Sequence, residues 1–119
     1  MSFIKKRIQS FRHAFRGIGT LIGQTPNMRI HLIAAIAAIT LGFVFRISKV
    51  EWLTVITVTA LVFVMEAINS SLETLSDYAS KKETHPAIRK VKDIAAAGVL
   101  FAALAALIVG LVIFLPKIF

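Results

Sequence analysis

Three long apolar stretches dominate the chain: Ile30 to Phe45, Trp52 to Met65 running on into Ala67, Ile68, Leu72 and Leu75, and Ile94 to Leu115. A hydrocarbon core about 30 Å thick is crossed by about 20 helical residues. The first stretch is shorter, but Arg29 and Arg46 stand at its ends, where long basic side chains reach the headgroups. The pattern predicts three spanning helices, over about 29–47, 51–77 and 86–115.

Before the first span, Phe3, Ile4, Ile8, Phe11, Phe15, Ile18 and Ile22 recur every three or four residues, with Lys5, Lys6, Arg12 and Arg16 mainly between them. That spacing predicts an amphipathic helix lying in the membrane surface over about 2–22. Gly17, Gly19 and Gly23 punctuate it as a hinge, and Pro26 disfavours helix at Thr25, so the chain is expected to turn there into the bilayer. The glycines have neither the spacing nor the preceding strand of a dinucleotide fingerprint. No compact apolar core followed by a small-residue cleavage site marks a secretory signal, so the first span is expected to stay in the mature protein.

Ser48 to Glu51 leave so short a connection that spans one and two are antiparallel neighbours, with Trp52 at an interface. Residues 78–85 form the one substantial loop, and Pro86 suits the first turn of the last helix. Gly98, Ala102, Ala103, Ala105 and Ala106 give that helix a small-residue face for close packing. The whole reads as one all-α integral membrane domain over residues 1–119.

Composition agrees: 57% of the 119 residues are hydrophobic, against about 45–50% in soluble domains. With no cysteine, disulfides, thiolate metal sites and cysteine nucleophiles are excluded. The net charge of +8 is unevenly placed. Lys5, Lys6, Arg7, Arg12, Arg16 and Arg29 precede span one, and Lys81, Lys82, Arg89, Lys90 and Lys92 lie between spans two and three, leaving Arg46, Lys49 and Lys117 for the other side. This bias puts the N-terminus inside and the C-terminus outside. No basic stripe is interleaved with base-stacking aromatics, so anionic headgroups rather than nucleic acid are the expected partner of the charge.

Chemistry concentrates in Glu66-Ala-Ile-Asn69-Ser-Ser-Leu-Glu73-Thr-Leu-Ser-Asp77. At about 100° per residue, Glu66, Asn69, Glu73 and Asp77 fall at roughly 0°, 300°, 340° and 20°, one narrow stripe descending from inside the membrane to its edge. Polar groups at the hydrocarbon boundary are costly unless they face protein, water or a ligand. Such a stripe either marks a helix leaving the bilayer against its neighbours or serves a function. A carboxylate near the interface can take a proton from a lipid hydroxyl, and a second about two turns away can hold Mg²⁺ against a nucleoside triphosphate, an arrangement suited to phosphoryl transfer. Lys92 and Asp93 open the third span at the level of the lower stripe, either in reach of phosphate or as a charge partner for Asp77 and an anchor to headgroups. His85, or Thr84, is placed to cap the last helix. His13 and His31 have no second ligand at metal spacing, and there is no Walker-type glycine loop.

Glu66-x-x-Asn69-Ser-x-x-Glu73-x-x-x-Asp77, followed by His85-Pro86 and Lys92-Asp93-Ile-Ala-Ala-Ala-Gly-Val-Leu, resembles the prokaryotic diacylglycerol kinase family, which includes undecaprenol kinases. The similarity extends through Phe15-Arg16-Gly17 and Asn27-Met-Arg29-Ile-His31. It implies a homotrimer in the bacterial cytoplasmic (inner) membrane, with composite sites that use MgATP to phosphorylate a lipid alcohol, undecaprenol or diacylglycerol, at the cytoplasmic interface. By the same resemblance Glu66 matches the general base and Asn69 the amide beside it, while Glu73 matches a metal ligand that also faces ATP. Asp77, Glu83, His85, Lys92 and Asp93 match nucleotide-side positions, and Phe15, Arg16, Asn27 and Arg29 lipid-side ones. Two positions depart. Thr25 stands where the family has a second metal-binding glutamate, and Lys6, counted among the ATP-binding positions with Arg7 adjacent, stands where it has an arginine, whose bidentate contact lysine does not reproduce. The short connection ending in Glu51-Trp52 and the closing Phe114-Leu115-Pro116-Lys117 look more like undecaprenol kinases. A proton-coupled transporter or channel subunit relaying through Glu66, and a noncatalytic assembly subunit, stay open as alternatives.

Overall fold

The computed structural model describes residues 2–119, and the described residues form four helices and no strand. They are α1 (Phe3–Gln24), α2 (Pro26–Val44), α3 (Lys49–Ser80) and α4 (Pro86–Ile118). The last three are long and apolar enough to cross a membrane, making this a multi-pass membrane chain.

α1 starts on Ser2, whose hydroxyl accepts from the Lys5 N–H, and it runs without a break through Gly17, Gly19 and Gly23. The expected glycine hinge is absent. None of these glycines has positive φ, and the chain breaks instead at the single residue Thr25, which is extended because proline follows it. Thr25 ends α1 and begins α2, with Pro26 in the first turn, where a missing N–H is harmless. Arg29 braces this joint: its Nε and Nη2 donate to the Ile22 and Gly23 carbonyls at 3.0 and 2.6 Å, oxygens that the end of α1 leaves without helical partners. α1 buries no residue, and Phe3, Ile4, Ile8, Phe11, Phe15 and Ile18 are all exposed.

The first span begins and ends about a turn earlier than its pattern suggested, and the turn to α3 occupies residues 45–48. Arg46 adopts a left-handed conformation (φ 51°) there, and Ser48 and Glu51 form a reciprocal capping box. At this end of the bundle lies the hydrophobic core: Ile47, Val55, Ile113 and Phe114, with Leu41, Phe45 and Trp52 packed against them. Gly42 is required here, since a Cβ would stand 2.6 Å from Trp52 Cη2 and 3.1 Å from Ile47 Cδ1. Lys117, in the last turn of α4, ties that helix to Glu51 at 2.9 Å.

α3 and α4 form the closest pair, an antiparallel hairpin whose approach depends on the small face expected of α4. Ala95 and Ala102 are buried, and between them Gly98 receives the Met65 methyl. α3 ends on Lys81 and Lys82, both left-handed, with the Lys82 N–H donating to the Asp77 carbonyl at 2.9 Å. His85 caps α4 as expected, its Nδ1 accepting from the Ala87 N–H at 3.2 Å.

Candidate functional site

The end of the bundle opposite the hydrophobic core holds the polar residues of α3. The side chain of Glu66 is the most deeply buried large one, 1% exposed. Its Oε2 lies 3.1 Å from His31 Nε2 on α2, while Oε1 has no hydrogen-bond partner. Asn69, one turn on, is also buried, with Oδ1 unpartnered. Two unsatisfied buried oxygens on one face are unusual, because native interiors satisfy nearly all such atoms. Both are acceptors, so the group that would satisfy them is a donor such as a hydroxyl.

One turn and more beyond, α3 meets the start of α4. Lys92 Nζ donates to Asp77 Oδ1 at 2.5 Å, so the charge partnership foreseen for these residues is present. Both remain over a third exposed at the side chain. They line a cleft of about 230 Å³ with Glu83, His85, Asp93, Lys82 and Arg89. Five residues expected on the nucleotide side, Asp77, Glu83, His85, Lys92 and Asp93, thus share one concavity. The reason is local: the left-handed turn at Lys81 and Lys82 and the His85 cap fold the 81–85 loop back over the hairpin mouth. Lys82 and Arg89 add positive charge that motif reasoning did not single out.

Other expected residues stand apart. Glu73 is exposed on α3, on the path between Glu66 and the cleft. Lys6 is exposed near the far end of α1, about 27 Å of helical rise from Gln24. Phe15 and Arg16 lie exposed on α1 and Asn27 on the first turn of α2, while Arg29 is engaged with the α1 carbonyls. Thr25 Oγ1 lies 3.2 Å from Ser70 Oγ, which puts the joint beside α3 one residue beyond Asn69. Among the described residues no three His, Asp or Glu side chains converge on a point that would hold a metal ion.

His31 is the residue the sequence reading passed over. Its signal was available: it lies about 20 Å of helical rise before Val44 and Glu66 about 26 Å after Lys49, so the short turn brings them to similar depth.

An elongated apolar groove of about 470 Å³ starts at His31 and runs between α2, α3 and α4, walled by Ala34, Ala38, Val62, Ala103 and Phe114 among others. From His31 it reaches the core residues Val55 and Phe114.

The sequence pattern named prokaryotic diacylglycerol kinase matches residues 12–114. The chain is similar to an undecaprenol kinase of Bacillus subtilis (strain 168), 34% identical over 115 residues that cover 97% of this chain and 93% of that protein. It is also similar to a diacylglycerol kinase of Synechocystis sp. (strain ATCC 27184 / PCC 6803 / Kazusa), 32% identical over 109 residues, 92% of this chain but 62% of that longer protein. With both ends of the motif, the buried glutamate and the lysine cleft, inside the matched region, the chain belongs to the prokaryotic diacylglycerol kinase family.

Proposed function

We propose that this single-domain chain is an integral membrane lipid kinase, which moves the γ-phosphoryl group of MgATP to the hydroxyl of a membrane lipid alcohol at the cytoplasmic interface. The observation that carries the reading is the unpartnered Oε1 of Glu66, a buried carboxylate oxygen on a membrane-crossing helix whose lower end opens onto the Lys92 cleft.

Glu66 Oε1 accepts the hydroxyl proton as the alcohol oxygen attacks, and Asn69 Oδ1 accepts from the same alcohol or its neighbouring polar group. The cleft with Lys92, Lys82 and Arg89 holds triphosphate, with His85 and Asp93 toward the nucleoside. About 16 Å of helical rise separates Glu66 from Asp77, a span that an extended nucleotide with its triphosphate bridges. Glu73 stands between the two. A lone exposed carboxylate suits Mg²⁺ carried in by phosphates, since this ion takes one or two carboxylates and keeps its remaining oxygens from phosphate and water. Glu73 would hold the ion, which would supply positive charge to offset the charge collecting on the transferring group.

Basic residues around α1 and the 81–92 segment favour an inside N-terminus, and the exposed apolar side chains of α1 favour a helix resting in the inner surface of a bacterial cytoplasmic membrane. An exposed Glu73 on a spanning helix calls for cover by a neighbouring subunit, consistent with a homotrimer. Undecaprenol is favoured over diacylglycerol, since the undecaprenol kinase relative matches the chain almost end to end. Transfer from labelled ATP in micelles containing both alcohols is expected, undecaprenol being the better acceptor. No transfer to either refutes the proposal and turns attention to ion transport.

A further inference from the structure

We infer that His31 is the positioning residue of the proposed base, holding Glu66 so that a single oxygen, Oε1, faces the lipid hydroxyl. This rests on the lipid kinase reading above and goes beyond it, because it names the group on which the geometry of proton transfer depends.

A buried carboxylate is destabilised unless hydrogen bonds replace its water. Glu66 has one such partner, His31 Nε2 at 3.1 Å. A carboxylate only accepts, so Nε2 must carry a proton. The bond lies at the head of the apolar groove, with the His31 side chain 17% exposed, in low-dielectric surroundings where hydrogen bonds strengthen. It fixes the carboxylate about its last torsion, which would otherwise be a broad two-fold rotor exchanging the two oxygens. With Oε2 held, Oε1 alone is presented. In the transfer step the alcohol O–H bond breaks and its proton passes to Oε1. The alcohol oxygen bonds to the γ-phosphorus as the bond from that phosphorus to the bridging oxygen breaks, and ADP departs with those electrons. His31 keeps its Nε2 proton throughout.

The test compares the full-length protein in micelles with His31→Leu and His31→Gln, using labelled ATP and undecaprenol. Leucine removes the donor, and glutamine restores an N–H. His31→Leu is expected to lower kcat by about 10²-fold, the scale of a misplaced reacting group, with the KM for MgATP unchanged because the nucleotide cleft is remote. His31→Gln is expected to recover about tenfold of that loss. A His31→Leu kcat within about a factor of two of the parent, or equal losses in the two variants, overturns the inference. A second measurement is independent of turnover and of whether His31→Leu folds. The ¹⁵N spectrum of the imidazoles, with His31 assigned by its disappearance in His31→Gln, should show a proton on Nε2, and an unprotonated Nε2 overturns the inference. A parent protein that transfers phosphate to no alcohol, yet shows the Nε2–H form, sinks the kinase reading alone.

Discussion

Thr25 Oγ1 and Ser70 Oγ lie 3.2 Å apart, so the residue that joins α1 to α2 is hydrogen-bonded to α3 between Asn69 and Glu73. The position at which the family resemblance places a second metal-binding glutamate therefore lies beside the proposed metal path, although this chain supplies only a hydroxyl there. Thr25→Glu is expected to lower the Mg²⁺ concentration needed for half-maximal transfer by about tenfold, the low end of what a metal-site group contributes. Losing the bond to Ser70 should destabilise the chain by about 1 kcal/mol. Mg²⁺ titration of the initial rate, with thermal unfolding in the same detergent, checks both, and an unchanged Mg²⁺ midpoint would show that the carboxylate is not in reach.

Glu66→Gln keeps shape and removes the accepting charge. Transfer is expected to fall by about 10²- to 10⁴-fold, the usual worth of a positioned base, with the KM for MgATP unaltered. Steady-state kinetics on both substrates decide this. A variant that retains a tenth of the parent rate is incompatible with Glu66 taking the proton.

Lys92→Ala opens the Asp77 pair and takes a cation from the cleft. The KM for MgATP should rise about tenfold or more, because a charge-assisted contact to phosphate is worth roughly 1.5–3 kcal/mol. Stability should change by less than about 1 kcal/mol, since both side chains are substantially exposed. Nucleotide titrations and unfolding curves on one preparation separate the two effects.

Gly42→Ala drives a methyl into the Trp52 ring and should destabilise the bundle by about 1–3 kcal/mol, the range for overpacking. Gly98→Ala should do less, because it meets only the end of the flexible Met65 side chain. Trp52 is the sole tryptophan, so its emission reports the first substitution directly.

Much of this was legible before any coordinates. Apolar length gave three spans, Pro86 marked a helix start, and the acidic row on α3 with Lys92 marked the candidate site. Boundaries slipped where capping outweighed hydropathy: Ser48 and Glu51 start α3 two residues early, and Pro26 starts α2 inside polar sequence. The glycine hinge failed because glycine permits a break without requiring one, whereas the proline after Thr25 imposes extended backbone. Helical angles put Glu66 and Glu73 on one stripe but did not separate the buried upper part from the exposed lower part. That difference depends on where α2 crosses α3, a register fixed by contacts distant in sequence, and the same register gives Glu66 its histidine.

The aromatic core, the capped turn and the Lys117 to Glu51 tie all gather at one end of the bundle. The opposite end is joined differently, by a Lys92 to Asp77 ion pair whose two side chains are over a third exposed. On the proposed function, a nucleotide entering the cleft would have only to exchange that solvent-accessible pair for its own phosphates, leaving the apolar end undisturbed.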